Sequence, residues 1–381
     1  MGKKCLSLLL AGSLLAVMMG CGKDTSAKLS EGEEQTEEKN REAEEEQKNQ
    51  PKEQGVEIEL PDQQKLKTDY TTVKGLELTA ASHIAVVVKG KKSNYWKAVQ
   101  TGMQQAINDL NEEAGFVDDD KIYMTFEAPE DESDAEGQIN IVDAVLSENP
   151  QVLCLAAIDM GSCEAQLESA EENGIPVIIL DSGVMTDELV YTVCKTDNRE
   201  AGKEAARRLC QGMSESGEVL IVASQQKGES ILERVQGFLD EVQGSHESVV
   251  VADVIYADHA DDDRSVKERV QSVLEENPNI KGFFATDESM ASEVLDIMEA
   301  EENAELLMVG FDSGSRQQEA IRNQEEYGTV CQNPYGMGYA TITSAARAIL
   351  GLENDKVIDA GYQWIDSTNI DLEENQKFLY E

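Results

Sequence analysis

Positive charge is scarce in this 381-residue chain: 32 Lys and Arg stand against 76 Asp and Glu, a formal net charge of −44. A nucleic-acid-binding protein needs a basic footprint to neutralise phosphates, so that class is excluded. Docking of a folded domain on anionic lipid is disfavoured for the same reason. Histidine is nearly absent, with only His83, His246 and His259, and none lies in a G-x-S-x-G or H-E-x-x-H context. No catalytic residue is assigned, no enzyme activity is expected, and no cofactor is called for. Cysteine gives no disulfide framework, because the residues left after an N-terminal leader (Cys154, Cys163, Cys194, Cys210 and Cys331) are odd in number and irregularly spaced. One disulfide remains open. Without a C-x-x-C pair a thiolate metal site is not expected, and buried free Cys behaves as a small hydrophobe. The acidic run Asp258-His259-Ala260-Asp261-Asp262-Asp263 has ligand types for a hard cation but lacks the Gly and terminal Glu of a calcium loop. It precedes a helix, where an Asp N-cap is expected, so no metal is assigned. No apolar run reaches the roughly 20 residues that a membrane-spanning helix needs.

What the N-terminus does have is Lys3 and Lys4, a short apolar run over residues 6–19, and Gly20-Cys21. This pattern reads as a lipoprotein signal peptide over residues 1–21, with Cys21 lipidated and the mature protein held at the extracellular face of the cell membrane by that anchor alone. From residue 22 to about residue 64 the chain is rich in Glu, Lys, Gln, Asn and Ser, too polar to offset its ordering entropy. An acidic disordered linker is therefore expected over residues 22–80, with a root-mean-square span of roughly 35–40 Å for its polar stretch.

Regular patterning starts at residue 82. The apolar run over residues 83–88 has the character of a parallel strand buried on both faces. A helix pattern follows over 96–110, then strand 122–126, helix 137–147, strand 152–157, helix 163–173 and strand 176–180. The alternation restarts with strand 218–223, helix 231–242, strand 249–256, helix 265–277, strand 281–285, helix 290–300 and strand 306–311. Two such series predict an α/β protein of two doubly wound parallel-sheet lobes. Ligands of open α/β sheets bind outside the carboxyl ends of the strands, so the loops at 91–96, 158–162, 181–183, 224–234, 286–289 and 312–315 are expected to line one cleft.

Those loops carry ordered motifs: Tyr95-Trp96 followed by Gly102; Gly174-Ile175-Pro176 running to Leu180-Asp181; Thr196-Asp197-Asn198 with Ala201-Gly202-Lys203; Arg234 with Gly237-Phe238; Asp287-Glu288-Ser289-Met290-Ala291; Val309-Gly310-Phe311-Asp312; and Gln332-Asn333-Pro334-Tyr335-Gly336-Met337-Gly338. In this order, from residue 82 onward, the chain resembles the ribose/galactose-type periplasmic binding proteins, the sugar-binding components of ABC transporters. The resemblance implies a type I fold with a three-crossing hinge near Thr196, Gln332 and Gly361-Tyr362. The N-terminal lobe would hold residues 82–196 plus 333–361, and the C-terminal lobe 197–332 plus 362–381. It further implies that Tyr95 and Trp96 sandwich a sugar ring, that Asp181, Asp287, Asp312 and Gln332 bond its hydroxyls, and that Arg234 presents a forked donor. The implied partner is an ABC permease, with a sensor histidine kinase or chemoreceptor as the alternative reader of the closed form.

The chain departs from the family pattern where Ser182 replaces an arginine after Asp181, where Asp287 replaces an asparagine, and where Ala156-Ala157-Ile158-Asp159 lacks the usual asparagine. The departures make the predicted pocket acidic, which disfavours a phosphorylated or acidic ligand but not a neutral or amino sugar. A glycosidase pair built from cleft carboxylates is the enzymatic alternative; hydrogen-bond acceptance by Asp181 and Asp312 is the simpler account.

Overall fold

A computed structural model of the chain describes residues 68–258, 263–301 and 306–380. The expected signal peptide, Cys21 and most of the expected linker lie outside the described residues, as do positions 259–262 of the acidic run.

The described chain builds two six-stranded sheets. The first contains β1 (His83–Val87), β2 (Tyr123–Glu127), β3 (Val152–Leu155), β4 (Val177–Leu180), β5 (Thr192–Lys195) and β11 (Val357–Asp359), in the order β11-β5-β4-β3-β1-β2. The second contains β6 (Gly217–Ala223), β7 (Val249–Tyr256), β8 (Ile280–Ala285), β9 (Leu307–Phe311), β10 (Gly328–Gln332) and β12 (Tyr362–Ile365), in the order β12-β10-β9-β8-β6-β7. Position for position the two orders match, so each strand of one sheet has a counterpart in the other. All pairings are parallel except β10 with β12, which is antiparallel. Every residue of β1, β3 and β4 is buried, as their unbroken apolar sequences require of strands covered on both faces.

Helices cover both faces. On the first sheet lie α1 (Asn94–Ala114), α2 (Ala135–Ser147), α3 (Glu164–Glu172) and α9 (Pro334–Ile349); on the second lie α4 (Asn198–Gly212), α5 (Glu229–Ser245), α6 (Val266–Glu276), α7 (Glu288–Glu301) and α8 (Ser315–Asn323). In α1 the residues Val99, Met103, Ala106, Ile107 and Leu110 recur at helical spacing and are buried. The helix stops at Gly115, whose φ of 69° lets its N–H reach back to the carbonyls of Asn111 and Glu112. The closest packing is backbone on backbone. A Cβ on Gly102 of α1 would lie 2.0 Å from the Tyr335 carbonyl oxygen of α9, and one on Gly202 of α4 would lie 2.2 Å from the Arg234 carbonyl oxygen of α5. Only glycine permits either crossing.

The structure corrects two expectations. Residues 68–80 are not linker: Tyr70, Val73, Leu76 and Leu78 are buried in the apolar clusters of the first lobe, and the Tyr70 hydroxyl accepts a 2.7 Å bond from the Asp355 N–H. These four apolar side chains are widely spaced among polar residues, which hid them. At the start of α6 the cap is Ser265, in a reciprocal capping box with Glu268, and not an Asp. All five described cysteines are free and buried, so the open question of a disulfide closes in favour of thiols.

Candidate functional site

The chain passes between the sheets after β5, after β10 and after β11. These passages are tied together: Thr196 Oγ1 donates to Gly361 O at 3.4 Å, Asn333 Nδ2 to Ala360 O at 3.3 Å, and Asn198 Nδ2 to Thr196 O at 3.1 Å. Above them the carboxyl ends of both sheets meet. Ser182 Oγ lies 2.8 Å from Ser230 Oγ, the Gly183 N–H donates to Glu229 Oε2 at 2.7 Å, and the Met160 N–H donates to Lys227 O at 3.3 Å. Lys195 bridges Glu229 and Glu233 at 3.1 and 2.9 Å, and Lys227 reaches Asp159 at 3.5 Å. Each of these contacts joins the carboxyl end of the first sheet to the loops or the α5 helix at the carboxyl end of the second, so the lobes are closed on one another.

Asp181 sits just past β4 with φ of 61°, a left-handed conformation that Asp tolerates better than most residues. Its Oδ2 accepts from Lys89 Nζ at 2.7 Å and its Oδ1 from the Tyr95 hydroxyl at 2.9 Å; Lys89 also donates to Ser182 Oγ at 2.6 Å. Burial alone would raise the Asp181 pKa, but the charges of Lys89 and Arg234 and the hydrogen bonds from Lys89 and Tyr95 hold it below the usual carboxylate value. Tyr95 and Trp96 begin α1, with ring centroids 5.0 Å apart in an edge-to-face arrangement. Trp96 is 2% exposed, and its indole N–H donates to Glu132 Oε1 at 3.1 Å. Tyr380, near the chain's end, returns to the same place with its ring 6.0 Å from that of Tyr95.

Across the cleft, Arg234 of α5 is 3% exposed. Its Nε donates to Asn198 Oδ1 at 2.9 Å, its Nη1 to Thr286 O at 2.8 Å, and its guanidinium carbon lies 3.6 Å from the centre of the Phe311 ring. Asp312 follows β9 with φ of 73°; its Oδ1 accepts from Gln332 Nε2 at 2.9 Å, and its Oδ2 is 4.0 Å from Arg234 Nη1. Burial pushes Asp312 up to about 6, against the opposing charge of Arg234 and the bond from Gln332. Gln332 is 3% exposed, and its Oε1 has no hydrogen-bond partner among the described residues. Asp287 Oδ1 accepts from the N–H groups of Ser289 and Met290 at 3.0 and 3.1 Å, capping α7.

The seven residues singled out in the sequence thus fall on facing strand ends. Tyr95, Trp96 and Asp181 lie in the first lobe, and Arg234, Asp287, Asp312 and Gln332 in the second. Asp181 and Arg234 feel each other's charge, and so do Asp312 and Asp181. Sequence reasoning missed Lys89, Glu132, Glu288 and Tyr380. Lys89 directly follows the apolar run of β1, and strand-end logic extended two residues earlier would have found it. Glu132 lies in the loop after β2, and Glu288 stands beside Asp287. Tyr380 carries no local signal. The site's groups are carboxylates, amides, aromatics and two cations, which suits binding of a small polyhydroxylated molecule between hydrogen-bonding rims.

A sequence profile described as a periplasmic binding protein domain matches residues 84–353. Over 70% of its length the chain is 24% identical to the D-allose-binding periplasmic protein of Escherichia coli, covering 86% of that protein. It is also 24% identical to the ribose import binding protein of Bacillus subtilis, over 60% of this chain and 73% of the relative. Among solved structures, an ABC transporter solute binding protein from Agrobacterium vitis with bound D-fucose superposes with a TM-score of 0.70 at 26% identity, covering 78% of this chain and 100% of the other.

Proposed function

The chain belongs to the periplasmic binding protein domain family, and we propose that it captures a sugar or sugar-like small molecule between its two lobes and hands it to an ABC permease. The observation that carries this reading is the facing pair of hydrogen-bonding clusters, Lys89–Asp181–Tyr95 on one lobe and Arg234–Asp312–Gln332 on the other, at the ends of equivalent strands. The import and sugar-binding names of the similar proteins support it.

The ligand enters while the lobes are apart. Asp181, Asp312, Asp287 and Gln332 accept from its hydroxyls, the Arg234 fork donates to neighbouring oxygens, and Tyr95 and Trp96 present the aromatic edge of the cleft to its apolar C–H face. Closure then turns the lobes about the three passages near Thr196, Gln332 and Gly361, and the closed surface is what the permease distinguishes. The lobe division at residues 82–196 plus 333–361 against 197–332 plus 362–381 belongs to this proposal, as does attachment to the outer membrane face through a lipidated Cys21. The ligand leaves chemically unchanged, so the protein acts as a receptor without turnover. Transport is favoured over sensing because the similar proteins are named for import.

The test is a calorimetric and thermal-shift survey of the protein from residue 68 onward against pentoses, hexoses, amino sugars and polyols. A ligand present at about 100 times its dissociation constant adds roughly 2.7 kcal/mol of stability. A response confined to one sugar class supports the reading. A folded protein that no sugar stabilises sinks it.

A further inference from the structure

We propose that the molecule this cleft recognises carries a cationic amino group beside its hydroxyls, seated against Glu288, Asp287 and Asp312 of the second lobe and facing Glu132 of the first. The inference rests on sugar capture between the lobes and narrows the class of sugar.

Charge accounting leads to it. The Lys89 ammonium is spent within the protein: it lies 2.7 Å from Asp181 and 2.6 Å from Ser182 Oγ, and the other Asp181 oxygen holds the Tyr95 hydroxyl. That pair is self-neutral and presents no net charge to a ligand. Around it stand Glu132, Asp287, Glu288 and Asp312, coupled to one another electrostatically across both lobes. Lys89 also faces Glu132, but its charge is offset by Asp181; the cation left to balance the four carboxylates is Arg234, which bonds Asn198 and Thr286 and lies 4.0 Å from Asp312. Uncharged hydroxyls can bond to these carboxylates but leave their mutual repulsion in place; an ammonium relieves it. Burial first, and then the charge of Asp312, push Glu288 up to about 7, the expected response of a carboxylate held among its own kind.

A second observation is independent of charge. Gln332 is buried at the base of the cleft, and its amide nitrogen is fixed on Asp312 Oδ1, which leaves Oε1 as an orphan acceptor beside the carboxylates. Among the described residues, Asp287 Oδ2 accepts only a long bond, from the Thr286 hydroxyl at 3.4 Å. Acceptors therefore outnumber donors at this end of the cleft. An ammonium offers three donors and needs no acceptor in return, whereas each hydroxyl brings an acceptor of its own that must also be satisfied.

The experiment measures calorimetric affinities of the protein at pH 7 for glucose and galactose, for their 2-amino-2-deoxy counterparts, and for the N-acetyl forms of those amino sugars. The expected result is at least a tenfold preference for an amino sugar over its hydroxyl parent. N-acetylation, which removes the charge, should erase the preference, added salt should weaken it, and Glu288→Gln should shrink it. Parent sugars that bind as tightly as their amino counterparts overturn this inference and leave sugar capture standing. A preference that survives both N-acetylation and Glu288→Gln overturns it too, because the charge is then not what is read. Absence of binding to every sugar in this set overturns the inference, while sugar capture itself stands or falls on the wider survey of pentoses, hexoses, amino sugars and polyols.

Discussion

Asp181 and Asp312 occupy the same place in the two sheets and meet opposite electrostatic fates. Each follows the third strand from one edge, each adopts a left-handed backbone, with φ of 61° and 73°, and each donates its N–H at 2.9 Å to the neighbouring strand, to Cys194 O and Val330 O respectively. Lys89 keeps Asp181 ionised, whereas Asp312 has an amide at 2.9 Å and a guanidinium no nearer than 4.0 Å. The geometry repeats and the charge does not.

Lys89→Met should therefore be severe. It strands a buried carboxylate, for which a cost of about 3–5 kcal/mol is expected. Asp181 has a depressed folded-state pKa, so its contribution is present above the unfolded pKa and is lost as pH falls through the folded value. Urea unfolding at pH 7 should register the loss, the gap between mutant and parent should narrow toward pH 3, and adding Asp181→Asn should restore much of the stability. An equal deficit at both pH values would count against the pair.

Glu288 and Asp312 work in the other direction. Their folded-state values, raised to about 7 and about 6, mean that the native state binds more protons than the unfolded chain between the ordinary carboxylate range and those values. Stability without ligand should fall as pH rises through that window. Glu288→Gln should raise the Tm at pH 7.5 by about 2–4 °C, equivalent to ~1 kcal/mol in a domain of this size, and change little at pH 4. Differential scanning fluorimetry across pH reads both values.

Arg234→Ala removes a stacked, forked donor and leaves Asn198 Oδ1 without its partner. Ligand affinity should drop by about 1–3 kcal/mol. Lys in its place should not rescue it, since a point charge cannot reproduce the planar contact with Phe311. Trp96→Ala should weaken binding by a similar ~1–3 kcal/mol through loss of the aromatic wall. Calorimetry settles both; unchanged affinity in the two mutants would place the site elsewhere.

Gly202→Ala drives a methyl group into the Arg234 carbonyl. The helices α4 and α5 must part, at about 1–3 kcal/mol for overpacking. Because the displaced residue is Arg234, affinity should fall along with stability. An unfolding curve beside a binding isotherm checks the pairing.

The thiols offer a test of packing. Burial pushes Cys194 and Cys210 up to about 12 and raises Cys154, Cys163 and Cys331 as well. Native protein at pH 8 should resist a thiol reagent for hours, and all five described cysteines should react once it is unfolded.

Much of this was legible in the chain. The buried parallel strands β3, β4 and β9 announced themselves as apolar runs and lie within two residues of expectation, as does β8, and the part-exposed edge strand β7 falls on the expected 249–256. The helices α1 and α5 ran longer than their apolar stripes, because polar first and last turns add no periodicity, while α3 and α6 stop a residue short of expectation at each end. The later part of the chain, with β5, α4, α8, β10, β11 and β12, was harder to read. Thr192–Lys195 and Val357–Asp359 are short, and their identity as strands depends on neighbours far away in sequence. Site residues at strand ends could be named from position. Glu132 and Tyr380 could not, because the fold brings them to the cleft from the loop after β2 and from the last turn of chain.

Among the described residues, the strap of residues 68–80 buries Tyr70, Val73, Leu76 and Leu78 in the apolar clusters of the first lobe. Whatever precedes residue 68 therefore pulls on that lobe alone. If the chain is held at its N-terminal side, the first lobe is the stator and the second the rotor. Ligand capture then appears to the surroundings as a swing of the sheet that ends in the antiparallel strand β12 and, at its other edge, in β7.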